Sequence, residues 1–301
     1  MSTEIEILDA VPTFEAPPGG QLTAEMVTAY RRAGVLVLQN FVSIEACEAL
    51  RHQANKLVAG FDPAEVRSVF STTRQTQLDD SYFIESGDKI HFFLEDDAFD
   101  ESGELRQAKE HSLNKMGHAM HDLDPVFDEF SRTPELAEAA RRIGFAEPLV
   151  LQSMYIFKPP SIGGEVVCHQ DSTYIYTEPD SCVGFWFALE DATLANGCMQ
   201  FIPGEHRSPL RARNFRKADG SLSEEILDDT PWPEDERVAA EVPAGTLVIF
   251  TGKTPHLSAA NTSNKSRHAY TLHVIDRNSH YPANNWLQRS AHLPLRGFER
   301  D

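Results

Sequence analysis

The 301-residue sequence is short of several things at once, and each shortage removes a class of function. Its four cysteines (Cys47, Cys168, Cys182 and Cys198) are widely spaced and contain no CxxC pair, which excludes the common zinc-ribbon spacings and offers no disulfide framework. No apolar run approaches the roughly 18 residues that a membrane span needs. Positive charge is scarce: 27 Lys+Arg stand against 46 Asp+Glu, a net charge of −19. Such a chain has no dominant positive field with which to bind nucleic acid or an anionic membrane. The opening residues show neither a basic stretch nor an apolar one of the secretory kind, and the final residues are not a peroxisomal address. A reducing cytoplasm is therefore the expected location.

What is present describes a soluble globular enzyme-sized domain, with 41% hydrophobic and 24% charged residues. Residues 1–20, ending in Pro17-Pro18-Gly19-Gly20, are expected to form a flexible leader, and residues 21–301 a single domain. Thr23 and Ser43 are placed to cap two amphipathic helices on either side of a buried strand, VLVLQNF at 35–41. A third helix is expected from Asp124 to Ile143. From Pro148 onward short apolar runs alternate with turn-forming segments, the pattern of a jelly roll: a mainly β domain with helices packed on one sheet. Residues 205–240, long and charged, are expected to be a lid or insert.

Chemistry first shows in His169-Gln170-Asp171, at the end of the strand-like run EVVCHQD. In an extended chain the side chains at i and i+2 share a face, so an imidazole and a carboxylate project together. A second histidine, His256, opens a later strand, and Arg267 follows after ten intervening residues, across a turn near Ser263-Asn264-Lys265. A hairpin of that length would return the chain beside itself, so that both side chains face one cavity. Two histidines and one carboxylate make the facial triad of non-haem iron(II) oxygenases, with three metal positions left open. An α-keto acid can chelate two of them, and a buried guanidinium suits the carboxylate at its far end.

These residues, with SLNKMGHAMHDLDPVF, QSMYIFKPPSIGGEV, WFALEDATLANGCMQFIPGEH and NNWLQ, resemble the iron(II)/2-oxoglutarate dioxygenases of the phytanoyl-CoA hydroxylase family. The likeness spans about residues 22–292 and is strongest to the subgroup of phytanoyl-CoA dioxygenase domain-containing proteins. It implies a double-stranded β-helix and a requirement for Fe(II), 2-oxoglutarate and O2. It implies His169, Asp171 and His256 as iron ligands, and Arg267, assisted by Ser266, as the anchor of the cosubstrate carboxylate. Trp186, Lys115 and Met154 match further cosubstrate-lining positions, though Trp186 could be plain core, Met154 more often would be, and Lys115 could be a surface charge. The implied reaction is hydroxylation, or another oxidation, of an unactivated C–H bond in a small organic metabolite, releasing succinate and CO2. Related halogenating enzymes lack the carboxylate that Asp171 supplies.

Other features leave the substrate open. Arg207, Arg211, Arg213, Arg216 and Lys217 form a locally basic segment that an acyl-CoA or other anionic substrate would suit, or a solvated loop balanced by the acidic residues after it. Tyr82, Phe83, Phe92 and Phe93 line a pocket or fill the core. His118 and His121 are expected at i, i+3 on a helix with structural roles, and His268 and His273 on opposite faces of one strand. A zinc hydrolase on the same triad, or a non-catalytic metal- and 2-oxoglutarate-binding protein, remains as an alternative. Neither gives as direct a use for Arg267.

Overall fold

The computed structural model describes residues 8–74, 78 and 80–299. Among them run fourteen strands and six helices, here given in chain order. The first part holds β1 (Thr13–Glu15), α1 (Ala24–Ala33), β2 (Val35–Gln39), α2 (Ile44–Ala59), α3 (Ser81–Ile84), β3 (Ile90–Leu94) and β4 (Leu113–His118). Three short helices follow, α4 (Met120–Leu123), α5 (Pro125–Ser131) and α6 (Pro134–Ile143). The strand-rich part comprises β5 (Pro148–Ile156), β6 (Val166–His169), β7 (Val183–Ala188), β8 (Met199–Phe201), β9 (Ala212–Arg216) and β10 (Leu222–Ile226). It closes with β11 (Val238–Ala240), β12 (Leu247–Thr251), β13 (His256–Ser258) and β14 (Ala269–Asp276). No helix among the described residues is long and apolar enough to cross a membrane.

The strands form a double-stranded β-helix. An eight-stranded sheet in the order β1-β2-β12-β7-β14-β5-β4-β3 faces a four-stranded sheet, β11-β8-β13-β6, and β9-β10 is a separate hairpin. Alternation along the strands separates two layers. Phe185 and Phe187 of β7, with Tyr270, Leu272 and Val274 of β14, face the helices and join Tyr30, Leu50, Phe127 and Leu136 in one core. The intervening residues, Trp186 of β7 and Thr271 and His273 of β14, point between the sheets.

Local chemistry sets the helix limits. The Thr23 hydroxyl accepts from Met26 N, the Ser43 hydroxyl accepts from Ala46 N, and Gly34 ends α1 in the left-handed conformation at φ 78°. The expected single helix over 124–143 is instead two. Pro134 disfavours helical geometry at the residue before it, and Thr133 turns to cap α6 by accepting from Leu136 N. The expected flexible leader also differs. Thr13–Glu15 pairs in parallel with β2, Phe14 opposite Leu38, while Val11 and Phe14 pack against the cores on either side of the sheet. Residues 1–7 of that leader lie outside the described residues. The 205–240 segment carries the β9-β10 hairpin, whose turn uses Gly220 at φ +87°.

Candidate metal and cosubstrate site

The metal candidates sit on the smaller sheet. β13 runs antiparallel to β6 with His256 directly opposite His169, so the two rings stand side by side, centroids 4.3 Å apart. Gln170 stays extended, which carries Asp171 back to the face of His169 before the chain turns at Asp171–Thr173. Gln170 itself points the other way and is fastened, donating to the Lys253 carbonyl and accepting from Arg211 N. Ligand atoms of His169, Asp171 and His256 all lie within 4.8 Å of one another.

The tautomers follow from the hydrogen bonds. His169 Nδ1 lies 2.8 Å from the Val167 carbonyl and His256 Nδ1 lies 3.0 Å from the Thr254 carbonyl, so each Nδ1–H donates to a main-chain oxygen. Each Nε2 therefore presents a lone pair, and these face Asp171 Oδ1 at 3.4 and 3.7 Å. Three electron-rich atoms converging in this way repel unless a cation lies between them, and the donor set is that of an iron(II) facial triad. Burial, then His169, pushes His256 down to about 4, so its ring is uncharged at neutral pH. Burial alone would raise the Asp171 carboxyl; the imidazoles of His273 and His256 more than offset it and hold it well below the usual carboxylate range. Phe250 backs His256 at 4.7 Å, and it can do so because residue 184 is glycine: a Cβ there would lie 2.5 Å from the Phe250 ring.

The same three residues line a cavity of about 160 Å³ between the sheets, together with Arg267, Trp186, Lys115 and Met154. Arg267 is 1% exposed. Its Nε donates to the Gly197 carbonyl at 3.1 Å, its guanidinium carbon lies 5.5 Å from the Trp186 ring centroid, and its buried Nη1 has no partner. Among the described residues it forms no ion pair. A buried, unpaired guanidinium lining this cavity fits a ligand carboxylate. Met154 lies opposite Thr271 on the neighbouring strand, which is itself paired through Thr271 to Trp186, so these side chains share the inner face of the larger sheet. The Lys115 ammonium lies 3.3 Å from the Phe70 ring centroid, and burial pushes its pKa down to about 7.

Two expectations are corrected here. Ser266 does not face the cavity: its hydroxyl donates to Glu190 Oε2 at 2.7 Å, a carboxylate that also takes His268 N. The segment from His256 to Arg267 is not a hairpin of paired strands. β13 pairs with β6 and β8, β14 with β5 and β7, so the chain crosses from one sheet to the other and brings its two ends to one cavity from opposite walls. Asn261 organises that crossover by donating to the carbonyls of Lys158, Pro159 and Lys265.

Sequence reasoning also missed several cavity residues. His273 Nε2 lies 2.7 Å from Asp171 Oδ2, and its Nδ1 accepts from Gln152 Nε2 at 2.9 Å. His118 ends a strand rather than lying on a helix with His121, and faces the cavity. Lys158 donates to the Gly164 carbonyl and to Ser258, close enough to Arg267 and Glu95 for the three charges to act on one another. Of the four aromatic residues before the strand-rich part, Phe83 lines the cavity; Phe93 packs behind it, Tyr82 stacks on His91 and Phe92 on Phe61.

Comparison with known proteins bears directly on this geometry. Residues 30–269 match the model of the phytanoyl-CoA dioxygenase (PhyH) family. The chain is 46% identical to phytanoyl-CoA dioxygenase 1 of Oryza sativa subsp. japonica over 279 residues, covering 91% of this chain and 96% of that protein. It is 42% identical to phytanoyl-CoA dioxygenase domain-containing protein 1 of Danio rerio, covering 91% and 97%. In fold it resembles the α-ketoglutarate-dependent carbocyclase SnoK (TM-score 0.62, 20% identity, 94% of this chain and 99% of that one). It also resembles EctD from S. alaskensis, solved with 2-oxoglutarate and 5-hydroxyectoine (TM-score 0.59, 20% identity, 92% and 83%). The chain belongs to the phytanoyl-CoA dioxygenase family and is a 2-oxoglutarate-dependent dioxygenase that works with iron(II) and O2.

Proposed function

We propose that His169, Asp171 and His256 hold the iron, that Arg267 takes the distal carboxylate of 2-oxoglutarate, and that the enzyme hydroxylates or otherwise oxidises an unactivated C–H bond of a small organic molecule. Trp186, Met154 and Lys115 line the cosubstrate in this reading. In hydroxylation one oxygen atom of O2 enters the substrate and the other enters succinate, with loss of CO2. The observation that carries the reading is the pairing of a three-ligand cluster with an unpartnered buried guanidinium on one cavity.

Iron with its keto-acid cosubstrate supplies the oxidising power; the chain supplies position and dryness. The two Nδ1–H donors to main-chain carbonyls prevent the rings from turning, and β6-β13 pairing fixes their separation. Arg267 and Trp186 set the depth at which a dicarboxylate lies. Apolar walls at Phe70, Phe83, Ile175 and Leu222 keep water from the reacting centre. The β9-β10 hairpin supplies Asn214 and Leu222 to that wall, which is the support for treating 205–240 as a lid.

An acyl-CoA substrate is the second reading, and the relatives' names favour it. The basic segment does not add to it, because its arginines are engaged within the chain. Arg207 donates to the Arg32 carbonyl, and Arg211 lies 3.6 Å from the Trp232 ring centroid. Arg213 donates to Asn284, and Arg216 donates to the carbonyls of Trp286 and Ile84. A compact substrate is therefore our reading.

Anaerobic titration of iron(II)-loaded protein with 2-oxoglutarate tests the assignment. A visible metal-to-ligand charge-transfer band is expected in the wild type and none in His256→Ala. A folded, iron-loaded wild type without the band would overturn it.

A further inference from the structure

The same cavity carries, beside Lys115, a polar side chain to which the proposed cosubstrate gives no role. His118 is fully buried there, in T-shaped contact with both Phe83 (ring centroids 5.5 Å apart) and Trp286 (5.2 Å). Phe83 and Trp286 stack on each other at 4.6 Å, and both line the cavity. The state of His118 can be deduced from its neighbours. The single hydroxyl proton of Ser86 is given to the Phe83 carbonyl at 2.6 Å, because a carbonyl can only accept. Ser86 Oγ, 2.7 Å from His118 Nδ1, must then accept from Nδ1–H. Nε2 is left with its lone pair, buried and without a partner, on a residue that lines the cavity. Burial keeps the ring uncharged at neutral pH, so the acceptor is not lost to a proton.

We propose that His118 is the substrate-recognition residue of this cavity, and that the substrate is a small uncharged molecule. It presents a hydroxyl or N–H to His118 Nε2 while its apolar body packs on Phe83 and Trp286. The inference rests on the cavity being the substrate site of the dioxygenase. An unpaired buried acceptor is costly until a donor meets it, whereas a substrate of pure hydrocarbon leaves it unpaired. A substrate carboxylate would set its own lone pairs against that of Nε2 on a cavity that Asp171 also lines, and the cation beside His118, Lys115, offers it little, because burial pushes that pKa down to about 7. Selection of this kind is large for a site built around a polar partner and small for a merely apolar one.

Three single-ring probes of similar size separate the possibilities: phenol, toluene and benzoate. Binding is measured by calorimetry on the full chain, both metal-free and loaded with iron(II) and 2-oxoglutarate under nitrogen. Phenol is expected to bind about 3- to 10-fold more tightly than toluene, the net worth of one hydrogen bond. His118→Leu should reverse the order in favour of toluene, and His118→Gln, which keeps an acceptor, should restore part of the preference. Nitrogen-15 spectra of the wild type give a reading that needs no variant. His118 Nε2 should resonate as an unprotonated nitrogen and shift on addition of phenol but not toluene. A wild type that prefers toluene, a benzoate affinity above both, or a protonated Nε2 would overturn the inference. Because the metal-free arm involves no turnover, phenol selectivity without a charge-transfer band would sink the assignment of the iron and cosubstrate residues and leave His118 recognition standing. A band without phenol selectivity would do the reverse.

Discussion

His273 donates its Nε2–H to Asp171 Oδ2 across 2.7 Å, and the direction of that bond is fixed from behind, where Gln152 Nε2 donates to His273 Nδ1 at 2.9 Å. Asp171 is thereby held by one oxygen while the other, Oδ1, faces His169 and His256. The carboxylate cannot rotate without breaking a buried, charge-assisted hydrogen bond. His273→Leu should weaken iron(II) binding about 10- to 100-fold, the usual effect of losing a group that orients a metal ligand. Gln152→Leu should have a smaller effect in the same direction, since His273 could then adopt either tautomer. Metal titration followed by fluorescence or calorimetry measures both, with circular dichroism as the check on folding. Unchanged affinity in His273→Leu would mean that Asp171 is positioned by its backbone alone.

The contrast between Asp171 and His273 shows what one-dimensional reading reaches. His169 and Asp171 were legible because two residues along an extended chain return to one face, a property of the strand itself. Arg267 was legible from its distance after His256, although the route between them proved to be a crossover between sheets. His273 lies 102 positions from Asp171, and no local period links them; the contact exists because β14 and β6 belong to opposing sheets. His118 was hidden for a related reason, since its neighbourhood reads as helix while β4 extends through it to pair with β3 and β5. The caps at Thr23 and Ser43 were plain in sequence, whereas β1 joins the large sheet through a parallel pairing that depends on where β2 already lies. Ser266 was misplaced because its proximity to Arg267 in sequence says nothing about face: adjacent residues of an extended segment point apart.

Arg267→Ala should raise the 2-oxoglutarate concentration needed for half-saturation by roughly 30-fold or more, equivalent to about 2–5 kcal/mol for truncating a buried charge pair. Iron affinity should hardly change, because among the described residues no hydrogen bond or ion pair joins Arg267 to the three-residue cluster, and its Nε donates to the Gly197 carbonyl. Arg267→Lys should recover part of the affinity, with its charge retained and its two-pronged geometry lost. The anaerobic charge-transfer titration reads cosubstrate binding and metal occupancy in one experiment. A matching loss of iron binding in Arg267→Ala would instead assign the residue to the scaffold.

Lys115 makes stability depend on pH in a predictable sense. Burial pushes its pKa down to about 7, against an ordinary lysine value of 10.5 in the unfolded chain. Between those values the unfolded chain binds a proton that the folded protein does not, so the folded state gains stability as pH rises. The groups facing the ammonium are the rings of Phe70, Phe83 and Phe93 and the uncharged imidazole of His118, so no carboxylate masks the effect. Urea unfolding should show the wild type gaining on Lys115→Met by about 1 kcal/mol per pH unit between about pH 8 and 10. Parallel curves for the two proteins would mean that the ammonium is solvated in the folded state.

Asp122 should be the costliest surface-remote carboxylate to remove. Its side chain is completely buried and accepts from Arg132 at 2.6 Å, from Arg296 at 2.9 Å and from Arg289. Arg289 also donates to the Leu151 carbonyl, and Arg296 O accepts from Val150 N, so the cluster ties the final segment to β5. The same segment carries Trp286, one face of the cavity wall. Asp122→Asn would leave buried guanidinium groups short of their counter-charge, and the expected loss is about 3–5 kcal/mol of unfolding free energy. Asp128 touches two of the same arginines from a half-buried position, and Asp128→Asn should cost no more than about 1 kcal/mol. Chemical denaturation measures both. Equal costs would show that the arginines redistribute between the two carboxylates, and the final segment would then be held by packing around Leu287 and Phe298 rather than by charge.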